Sequence, residues 1–393
     1  MTPAARVEAA IELLDAIILA ALDEGAPADR LIAEYFRTRR YAGSKDRRAV
    51  RDLAYAAVRH CGEVPASGRA AMAALGAADP AILQLFDGSP HAPAPLGEGE
   101  VPAKAGVAPA WLEERLRTSG IAGEELAALA GRAPLDIRVN ALKADRATIE
   151  LPVAGEMLVA PQGLRFESGT QVEQWQAWRD GEIEVQDCGS QIACLAADAK
   201  PGETVVDLCA GAGGKTLALA AAMANQGRLI ASDIDRSRLS RLAPRAQRAG
   251  AGVIETLLLN PGRELAAFSD LAGKVDCVLV DAPCSGTGTW RRKPEAKWRL
   301  TPERLGRFAA TQDCLLDLAA GLVRPGGRII YVTCSLLDAE GRARIEGFLE
   351  RNPGWQAEIP QLPLGRSHGP GIRLTPYHDG TDGFFFAKLV SPC

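Results

Sequence analysis

The feature that most constrains this chain is a glycine-rich turn at residues 207–216, with the sequence DLCAGAGGKT. A β-branched run at 204–210 leads into the turn, and a stretch of small and apolar residues typical of a helix follows it. Further short β-branched runs follow at 228–232, 253–259, 275–280 and 328–333. This alternation predicts an α/β fold, a Rossmann-like domain whose mostly parallel sheet carries helices on both faces.

The rest of the chain divides into segments of different character. Residues 1–87 carry apolar residues at helical spacing and predict an N-terminal helical domain. Residues 88–109 contain five prolines and four glycines, which favours an extended linker. Residues 110–187 predict a small α/β subdomain with a strand at 136–142, and residues 188–393 form the sheet domain, with a last, antiparallel strand at 384–390.

The amino-acid composition limits where the protein can reside and which kinds of partner it can bind. The net charge is −4, with 45 basic and 49 acidic residues, so a surface that binds nucleic acid has to be local. Uncharged stretches fall well short of the ~18–20 apolar residues of a membrane helix. The nine cysteines include no Cys-x-x-Cys pair, which disfavours a disulfide framework and a zinc cluster. We expect a cytoplasmic protein without membrane or metal, and a monomer as the default.

Spacing within the glycine-rich turn narrows the choice of ligand. A phosphate-binding P-loop needs a glycine where this chain has Cys209, and a dinucleotide fingerprint needs one where it has Thr216. Asp233 ends the next strand, where an acid can accept hydrogen bonds from ribose hydroxyls. S-adenosylmethionine carries a nucleoside without a phosphate, so we predict it here. The alternative is that the turn only joins a strand to a helix and that Asp233 caps the next turn.

Two cysteines follow strands of the predicted sheet. Asp281 and Cys284 lie in VLVDAPCSGTG (278–288), and Cys334 lies in YVTCS (331–335). Because ligands bind beyond the carboxyl ends of strands in open α/β sheets, we expect these three side chains to converge. Most cysteines are small core residues, the role that we predict for Cys61, Cys188, Cys194, Cys277 and Cys314.

Two thiols beside a methyl donor suit methylation of cytosine at carbon 5. That carbon is a poor nucleophile until a thiolate adds to carbon 6, and the adduct must later break. Loss of the carbon 5 proton lets the thiol leave, and a second group near the ring assists its release. Asp281 is expected to hold the edge of the base and to favour protonation of the ring nitrogen.

The motifs DLCAGAGGKT, DID (233–235), DAPCSGTG (281–288), TCS (333–335) and DGFFFAKL (382–389) together resemble those of a known family. It is the RsmB and Nop/Sun family of S-adenosylmethionine-dependent RNA cytosine-5 methyltransferases, and the resemblance covers residues 136–389. It implies that Cys334 is the nucleophile and that Cys284 aids release of the methylated base. DNA cytosine-5 methyltransferases attack with the Pro-Cys cysteine, so the presence of both cysteines favours RNA.

The resemblance also implies which residues hold the cofactor. Asp233 is expected at the ribose and Asp281 near the methyl donor, while Arg238 is a further candidate or a surface residue. Asn260 stands where the family usually carries an acid near the adenine, and an Asn can donate and accept there. A turn-forming Asn before Pro261 is the alternative. The glycine-rich turn is expected to contribute Cys209, Ala210, Gly211, Ala212, Gly213, Gly214 and Lys215.

RNA contacts are predicted after the DAPCSGTG loop. Arg291, Arg292 and Lys297 lie there with Trp290 and Trp298 interleaved, which suits phosphate neutralisation and base stacking. A solvated run of charge is the alternative.

Two other segments are also candidates for RNA binding. IRVNALK (137–143) resembles the RNA-binding strand of the family, which implies Arg138 and Asn140. Residues 37–51 hold seven basic side chains against the single acid Asp46, which fits a solvated helix face and a nucleic-acid contact equally well. The N-terminal helices resemble the NusB-like RNA-binding domain of bacterial RsmB proteins.

These features predict an enzyme that transfers a methyl group from S-adenosylmethionine to carbon 5 of a cytosine in RNA. The expected substrate is 16S (small-subunit) ribosomal RNA, free or within a ribosomal assembly intermediate. The alternatives are a methyltransferase that acts on tRNA or on a protein, and a non-catalytic RNA-binding protein that keeps the cofactor fold.

Overall fold

The computed structural model describes residues 1–393, which form two compact units. The first unit consists of Met1–Gly131 and Thr289–Thr301, and the second consists of Arg132–Gly288 and Pro302–Cys393. The chain therefore leaves the second unit directly after the DAPCSGTG segment and returns to it at Pro302. The four-segment division drawn from the sequence stays a prediction.

The first unit is helical. Its first helix, α1 (Pro3–Leu22), begins where the Thr2 side chain accepts a hydrogen bond from the backbone N–H of Ala5 at 3.2 Å. One face of α1 buries apolar residues that include Val7, Leu14 and Ile17. The other helices are α2 (Ala28–Thr38), α3 (Ser44–His60), α4 (Gly68–Ala78), α5 (Pro80–Leu83), α6 (Ala110–Thr118) and α7 (Gly123–Ala128).

Residues 289–301 are part of the helical core. A 3₁₀ turn spans Pro294–Arg299, and its Trp298 is 4% exposed among the side chains of the N-terminal helices. The indole N–H of Trp298 donates to the carbonyl of Gly62 at 3.2 Å, and Glu295 accepts from the backbone N–H of Ala28 at 3.2 Å. Packing and hydrogen bonds therefore both fix this excursion within the first unit.

The second unit begins with a small antiparallel sheet. Its strands lie in the order β2-β3-β1-β4, with α8 before the last of them. Ile137, Leu164, Phe166 and Ile183 form a core on one side of this sheet. The elements are β1 (Leu135–Val139), β2 (Glu156–Met157), β3 (Gly163–Phe166), α8 (Gln176–Arg179) and β4 (Ile183–Val185).

The remaining elements build a nine-stranded sheet with helices between the strands. They are α9 (Cys188–Ala196), β5 (Thr204–Asp207), α10 (Gly214–Ala222), β6 (Arg228–Asp233), α11 (Arg236–Leu239), α12 (Leu242–Ala249), β7 (Ile254–Leu258), α13 (Glu264–Ala267), β8 (Val275–Asp281), α14 (Pro302–Leu322), β9 (Val323–Thr333), α15 (Arg342–Arg351), β10 (Gln356–Glu358), β11 (Arg366–His368), β12 (Gly371–Leu374), α16 (Pro376–Asp379) and β13 (Phe384–Val390).

The strand order is β11-β12-β13-β9-β8-β5-β6-β7, and β10 pairs with β13. The five strands from β5 to β9 are parallel, and β13 joins β9 in antiparallel register, as predicted for the last strand. The predicted α/β, Rossmann-like class is confirmed. Because the chain runs from β5 out to β7 and then returns to β8 on the other side of β5, the order reverses between β5 and β8. Open α/β sheets bind ligands at such a reversal.

Successive residues of the central strands point to opposite faces of the sheet and pack into two separate hydrophobic cores. Val205 belongs to the cluster on one face of the sheet, and Val206 belongs to the cluster on the other. No helix combines the length and the apolar character needed to cross a bilayer.

The cysteines assigned to the core are buried with one exception. Cys61, Cys188, Cys194 and Cys277 are buried, whereas Cys314 is exposed. The prediction for Cys314 is wrong because it lies about 200° around α14 from the buried Gln312, on the opposite side of the helix.

Candidate active site

The carboxyl ends of β5, β6 and β8 each carry an aspartate. Asp207 ends β5, Asp233 ends β6 and Asp281 ends β8. Cys334 follows the last residue of β9. Because these strands are parallel, the four side chains belong to one edge of the sheet, at the reversal of strand order.

The glycine-rich turn is held in a shape that only glycine allows. Gly213 has φ +84°, and a Cβ there would lie 2.0 Å from a methyl group of Leu242. Gly211 has φ +56°, and a Cβ there would lie 2.9 Å from the guanidinium of Arg238. Arg238 therefore lies against the turn. Next to Gly214 there is open space, since a Cβ at that residue would meet nothing within 4 Å.

Asp233 organises the turn from the neighbouring strand. One carboxylate oxygen accepts from the backbone N–H of Gly211 at 2.8 Å, and the other accepts from the backbone N–H of Asp235 at 2.7 Å. The side chain is 7% exposed. Each oxygen of a carboxylate has a second lone pair, so Asp233 keeps the capacity to accept from a ligand hydroxyl.

Asp207 is a site residue that the sequence motifs did not single out. Its side chain is 1% exposed, and one oxygen accepts from the hydroxyl of Thr216 at 2.6 Å. The other oxygen is buried without a hydrogen-bond partner. Burial raises the pKa of Asp207 to about 7, against the opposing effect of the Thr216 hydrogen bond. An unsatisfied carboxylate oxygen beside the turn is a ready acceptor for a polar ligand.

Lys215 and Asp281 form an ion pair across the sheet edge. The ammonium of Lys215, at the start of α10, donates to Asp281 Oδ2 at 2.6 Å. Burial opposes the charge on Lys215, but Asp281 and Cys194 outweigh it and leave the pKa of Lys215 above its usual value. The ammonium therefore stays charged, and its contact with Asp281 holds α10 against the end of β8.

The two predicted active-site cysteines lie together. The sulfur of Cys284 is 3.4 Å from the sulfur of Cys334, and both side chains are partly buried. The hydrogen bond with Cys334, then burial, raise the pKa of Cys284 well above its usual value. The two sulfurs are therefore within hydrogen-bond distance, and either thiol can donate to the other.

The structure gives the other predicted cofactor contacts, Cys209, Ala210, Ala212 and Asn260, no arrangement that points to a ligand. Cys209 and Ala210 are half-buried, and burial raises the pKa of the Cys209 thiol. The carbonyl of Ala212 accepts from Arg245 at 2.6 Å. Asn260 is exposed, and its backbone carbonyl accepts from the N–H of Arg263 at 3.0 Å, as in a turn. A cofactor role for these residues stays a prediction.

Arg138 and Asn140 are buried rather than presented to RNA. Arg138 is 5% exposed, and its Nε–H donates to Gln186 at 2.7 Å. Asn140 is 2% exposed, and its side-chain amide donates to the carbonyls of Gly181 and Ala249 at 2.9 and 2.8 Å. Asn140 thus joins the small sheet to the end of α12, and its predicted RNA contact is replaced by a structural one.

The basic residues after the DAPCSGTG loop are mostly interior to the first unit. Lys297 is 1% exposed, and its ammonium donates to the carbonyl of Val107 at 2.8 Å. Burial lowers the pKa of Lys297 to about 8. Arg291 is 8% exposed, and Arg292 is half-buried. The prediction that Lys297 neutralises a phosphate is wrong for this conformation, because its charge is enclosed by protein.

Comparison with known proteins agrees with this arrangement. A family model described as 16S rRNA methyltransferase RsmB/F matches residues 194–390. A Synechocystis protein named probable ribosomal RNA small subunit methyltransferase B is 36% identical over 299 residues. That match covers 72% of this chain and 66% of the relative, so the chain spans about two thirds of the relative's length.

Solved structures agree as well. The crystal structure of PH0851 matches with a TM-score of 0.72 and 27% identity over 98% of both chains. The structure of a methyltransferase homolog protein from Pyrococcus horikoshii matches with a TM-score of 0.58 and 25% identity, over 72% of this chain and 99% of that one. With the paired cysteines and the glycine-rich turn at the switch point of its sheet, the chain belongs to the RsmB/F family of 16S rRNA methyltransferases.

Proposed function

We propose that this protein methylates carbon 5 of a cytosine in 16S ribosomal RNA, with S-adenosylmethionine as the methyl donor. The observation that carries the proposal is the contact of 3.4 Å between the sulfurs of Cys284 and Cys334, at the sheet edge that also holds the glycine-rich turn. Methylation of carbon 5 requires one thiol that adds to the ring and benefits from a second group that assists its departure. The ribosomal substrate follows from the names of the matching family and of the Synechocystis relative.

The two thiols take different roles. Cys334 adds to carbon 6 of the cytosine and forms a carbon–sulfur bond, which makes carbon 5 nucleophilic. After carbon 5 has received the methyl group, a water molecule takes its proton, and the electrons of that carbon–hydrogen bond re-form the double bond between carbons 5 and 6. The carbon–sulfur bond breaks in the same step, and its electron pair returns to the sulfur of Cys334. A thiolate can only accept, so the S–H of Cys284, whose sulfur lies 3.4 Å away, then donates to it. The raised pKa of Cys284 keeps its proton in place for this task.

Asp281 and Lys215 position the base. Asp281 is 32% exposed at its side chain, so its second oxygen remains open to the ring and amino edge of a cytosine. The side chain of Lys215 is only 12% exposed, and its ammonium holds Asp281 in place through the contact of 2.6 Å with Oδ2. A carboxylate held in this way favours protonation of the ring nitrogen while Cys334 adds.

The residues of the turn suit S-adenosylmethionine. Asp233 would hold the ribose hydroxyls, and the unsatisfied oxygen of Asp207 suits the ammonium of the cofactor's amino acid portion. The backbone beside Gly214 is open to a ligand. When bound, the cofactor supplies an electrophilic methyl group.

A basic surface on the first unit supports an RNA substrate. At residues 40–48, which join α2 to the first turns of α3, the cations Arg40, Lys45 and Arg48 are exposed and form no ion pair, and Tyr41 among them is 74% exposed. Asp46, the one acid of this stretch, is bonded to the N-terminal amine and to Arg6 instead. Unpaired cations around an exposed aromatic ring suit phosphates and a stacked base.

Bisulfite sequencing of total RNA from cells with and without the gene tests the proposal. We expect loss of methylation at a cytosine of 16S ribosomal RNA, and its return when the wild-type gene is restored. Restoration with Cys334→Ala serves as the control and should leave the cytosine unmethylated.

Other results would overturn the proposal in identifiable ways. If methylation were lost at a cytosine of a tRNA instead, the proposed reaction would stand, but the substrate would be tRNA rather than 16S ribosomal RNA. No change at any cytosine would refute cytosine methylation and leave an RNA-binding protein or another methyl acceptor.

A further inference from the structure

A buried carboxylate, that of Glu340, lies between the two cysteine loops. Glu340 is 0% exposed, and its Oε1 accepts from the backbone N–H of Ser285 at 2.9 Å. Its Oε2 accepts from the hydroxyl of Ser335 at 2.7 Å and from the hydroxyl of Ser285. Ser285 directly follows Cys284, and Ser335 directly follows Cys334. One carboxylate therefore ties together the residues next to both sulfurs.

Further hydrogen bonds make the connection rigid. Gln312 of α14 donates to the carbonyl of Pro283 at 2.9 Å and to Glu340 at 3.3 Å. The hydroxyl of Thr287 accepts from the backbone N–H of Leu336 at 2.8 Å. The bond of Thr287 joins the loop after β8 to the loop after β9, and Gln312 holds both Pro283 and Glu340 to α14.

The charge of Glu340 also acts on the site. Glu340 forms no ion pair, and hydroxyl, backbone and amide donors satisfy its carboxylate instead. Its charge adds to burial and to the hydrogen bond with Cys334 in raising the pKa of Cys284. The titratable and charged groups around this cluster are Cys334, Glu340, Tyr331, Asp281, Lys215, Asp313 and Arg344.

We infer that Glu340 is a positioning residue for the reaction. By bonding to Ser285 and Ser335 it fixes the separation of the two sulfurs, and so holds Cys284 within hydrogen-bond distance of Cys334, the nucleophile. This inference rests on the proposed function for its catalytic consequence, but the effect of Glu340 on the thiols does not depend on a substrate.

The experiment compares wild type with Glu340→Gln, which keeps the shape of the side chain and removes its charge. Iodoacetamide alkylation of Cys284 and Cys334, resolved by peptide mass spectrometry, is followed against pH without RNA or cofactor. We expect Cys284 of the variant to become reactive at a lower pH than in wild type. In methyl transfer, kcat should fall by about 10- to 100-fold with the KM for RNA unchanged.

Glu203→Gln is the matched control. Glu203 pairs with Arg328 at 2.7 Å, at the start of β5 and so at the opposite edge of the sheet. This variant is expected to lose stability without a change in the alkylation profile. Iodoacetamide reacts with the thiols and needs neither RNA nor cofactor. The alkylation profile therefore tests the effect of Glu340 on the thiols even if the protein proves inactive on cytosine.

Two results would overturn the inference. One is an alkylation profile of Cys284 that is the same in Glu340→Gln and wild type. The other is a kcat within about twofold of wild type for the folded variant. If Glu340→Gln fails to fold, Ser285→Ala/Ser335→Ala removes the two hydroxyl donors and leaves the carboxylate. That double variant should then lower kcat with the KM for RNA unchanged, and a wild-type kcat would refute the role.

Discussion

The ammonium of Lys215 donates to Asp281 at 2.6 Å and joins the helix after the glycine-rich turn to the strand end that precedes Cys284. The contact links the two halves of the proposed site, because Lys215 ends the GGK segment while Asp281 lies three residues before a cysteine. A change at either residue should therefore affect catalysis more than binding.

Lys215→Met should lower kcat by about 10- to 100-fold, because Asp281 loses the cation that orients it. Steady-state kinetics with RNA in excess measures this. Lys200→Met is the control, since Lys200 also pairs with an aspartate, Asp198, but on an exposed surface. Equal losses in the two variants would show that the Lys215 pair has no special role.

Cys284→Ala should accumulate a covalent protein–RNA adduct, because the departing sulfur of Cys334 loses its hydrogen-bond donor at 3.4 Å. Denaturing gels with RNA and methyl donor would show the adduct as a retarded band. The band should be absent from Cys334→Ala and from the double variant. A retarded band in Cys334→Ala would assign the nucleophile to another residue.

Asp233→Ala should weaken cofactor binding by about tenfold or more, because this carboxylate holds two loop amides and, in the proposed function, also accepts from the ribose. Calorimetry with S-adenosylmethionine or its demethylated product measures the loss. Asp270→Ala, at an exposed aspartate that pairs with Arg228, is the control. An unchanged affinity in Asp233→Ala would remove this residue from the site.

Asp207 should make stability depend on pH. Its pKa is raised by burial from 3.8 to about 7, so the folded chain holds this proton more tightly than the unfolded chain does. The associated stability is present at low pH and is lost as pH rises through about 7. Asp207→Asn removes the titration. Its free energy of unfolding relative to wild type should therefore rise by about 2 kcal/mol from pH 5 to pH 8. Urea titrations at both pH values measure this, and a constant difference would contradict it.

RNA affinity should depend on the basic surface at residues 40–48 rather than on Lys297. Arg40→Ala/Arg48→Ala removes two exposed cations, so the dependence of log affinity on log salt should become shallower by about 2. Lys297→Met should leave RNA affinity unchanged, because this ammonium is enclosed and bonded to Val107. Filter binding over a range of salt tests both. A loss of affinity in folded Lys297→Met would restore the original prediction.

The positions of the parallel strands along the chain and the residues at their ends follow closely from the sequence. β-branched runs predicted β5 to β8 to within three residues at each end, whereas β9 begins at Val323, five residues before the predicted run. The aspartates at the ends of β6 and β8 lie where the motifs placed them. Local patterns suffice here because a strand's alternation and a glycine's positive φ depend on neighbours in the chain. The meeting of Cys284 and Cys334 follows from the same rule, since parallel strands end at one edge.

Only the tertiary structure decided which polar and charged side chains are buried and which groups surround them. Lys297 and Asn140 were expected at RNA, yet each donates to backbone carbonyls from distant parts of the chain. Glu340 carries no motif that marks it, but folding brings Ser285 and Ser335 to its carboxylate. Most buried polar side chains are satisfied by partners from other elements, and sequence spacing does not contain those partners. The sequence by itself therefore determined the fold class and the sheet edge at which the two cysteines and the aspartates meet. Packing between distant segments decided which charged side chains remain exposed and which are buried in structural contacts.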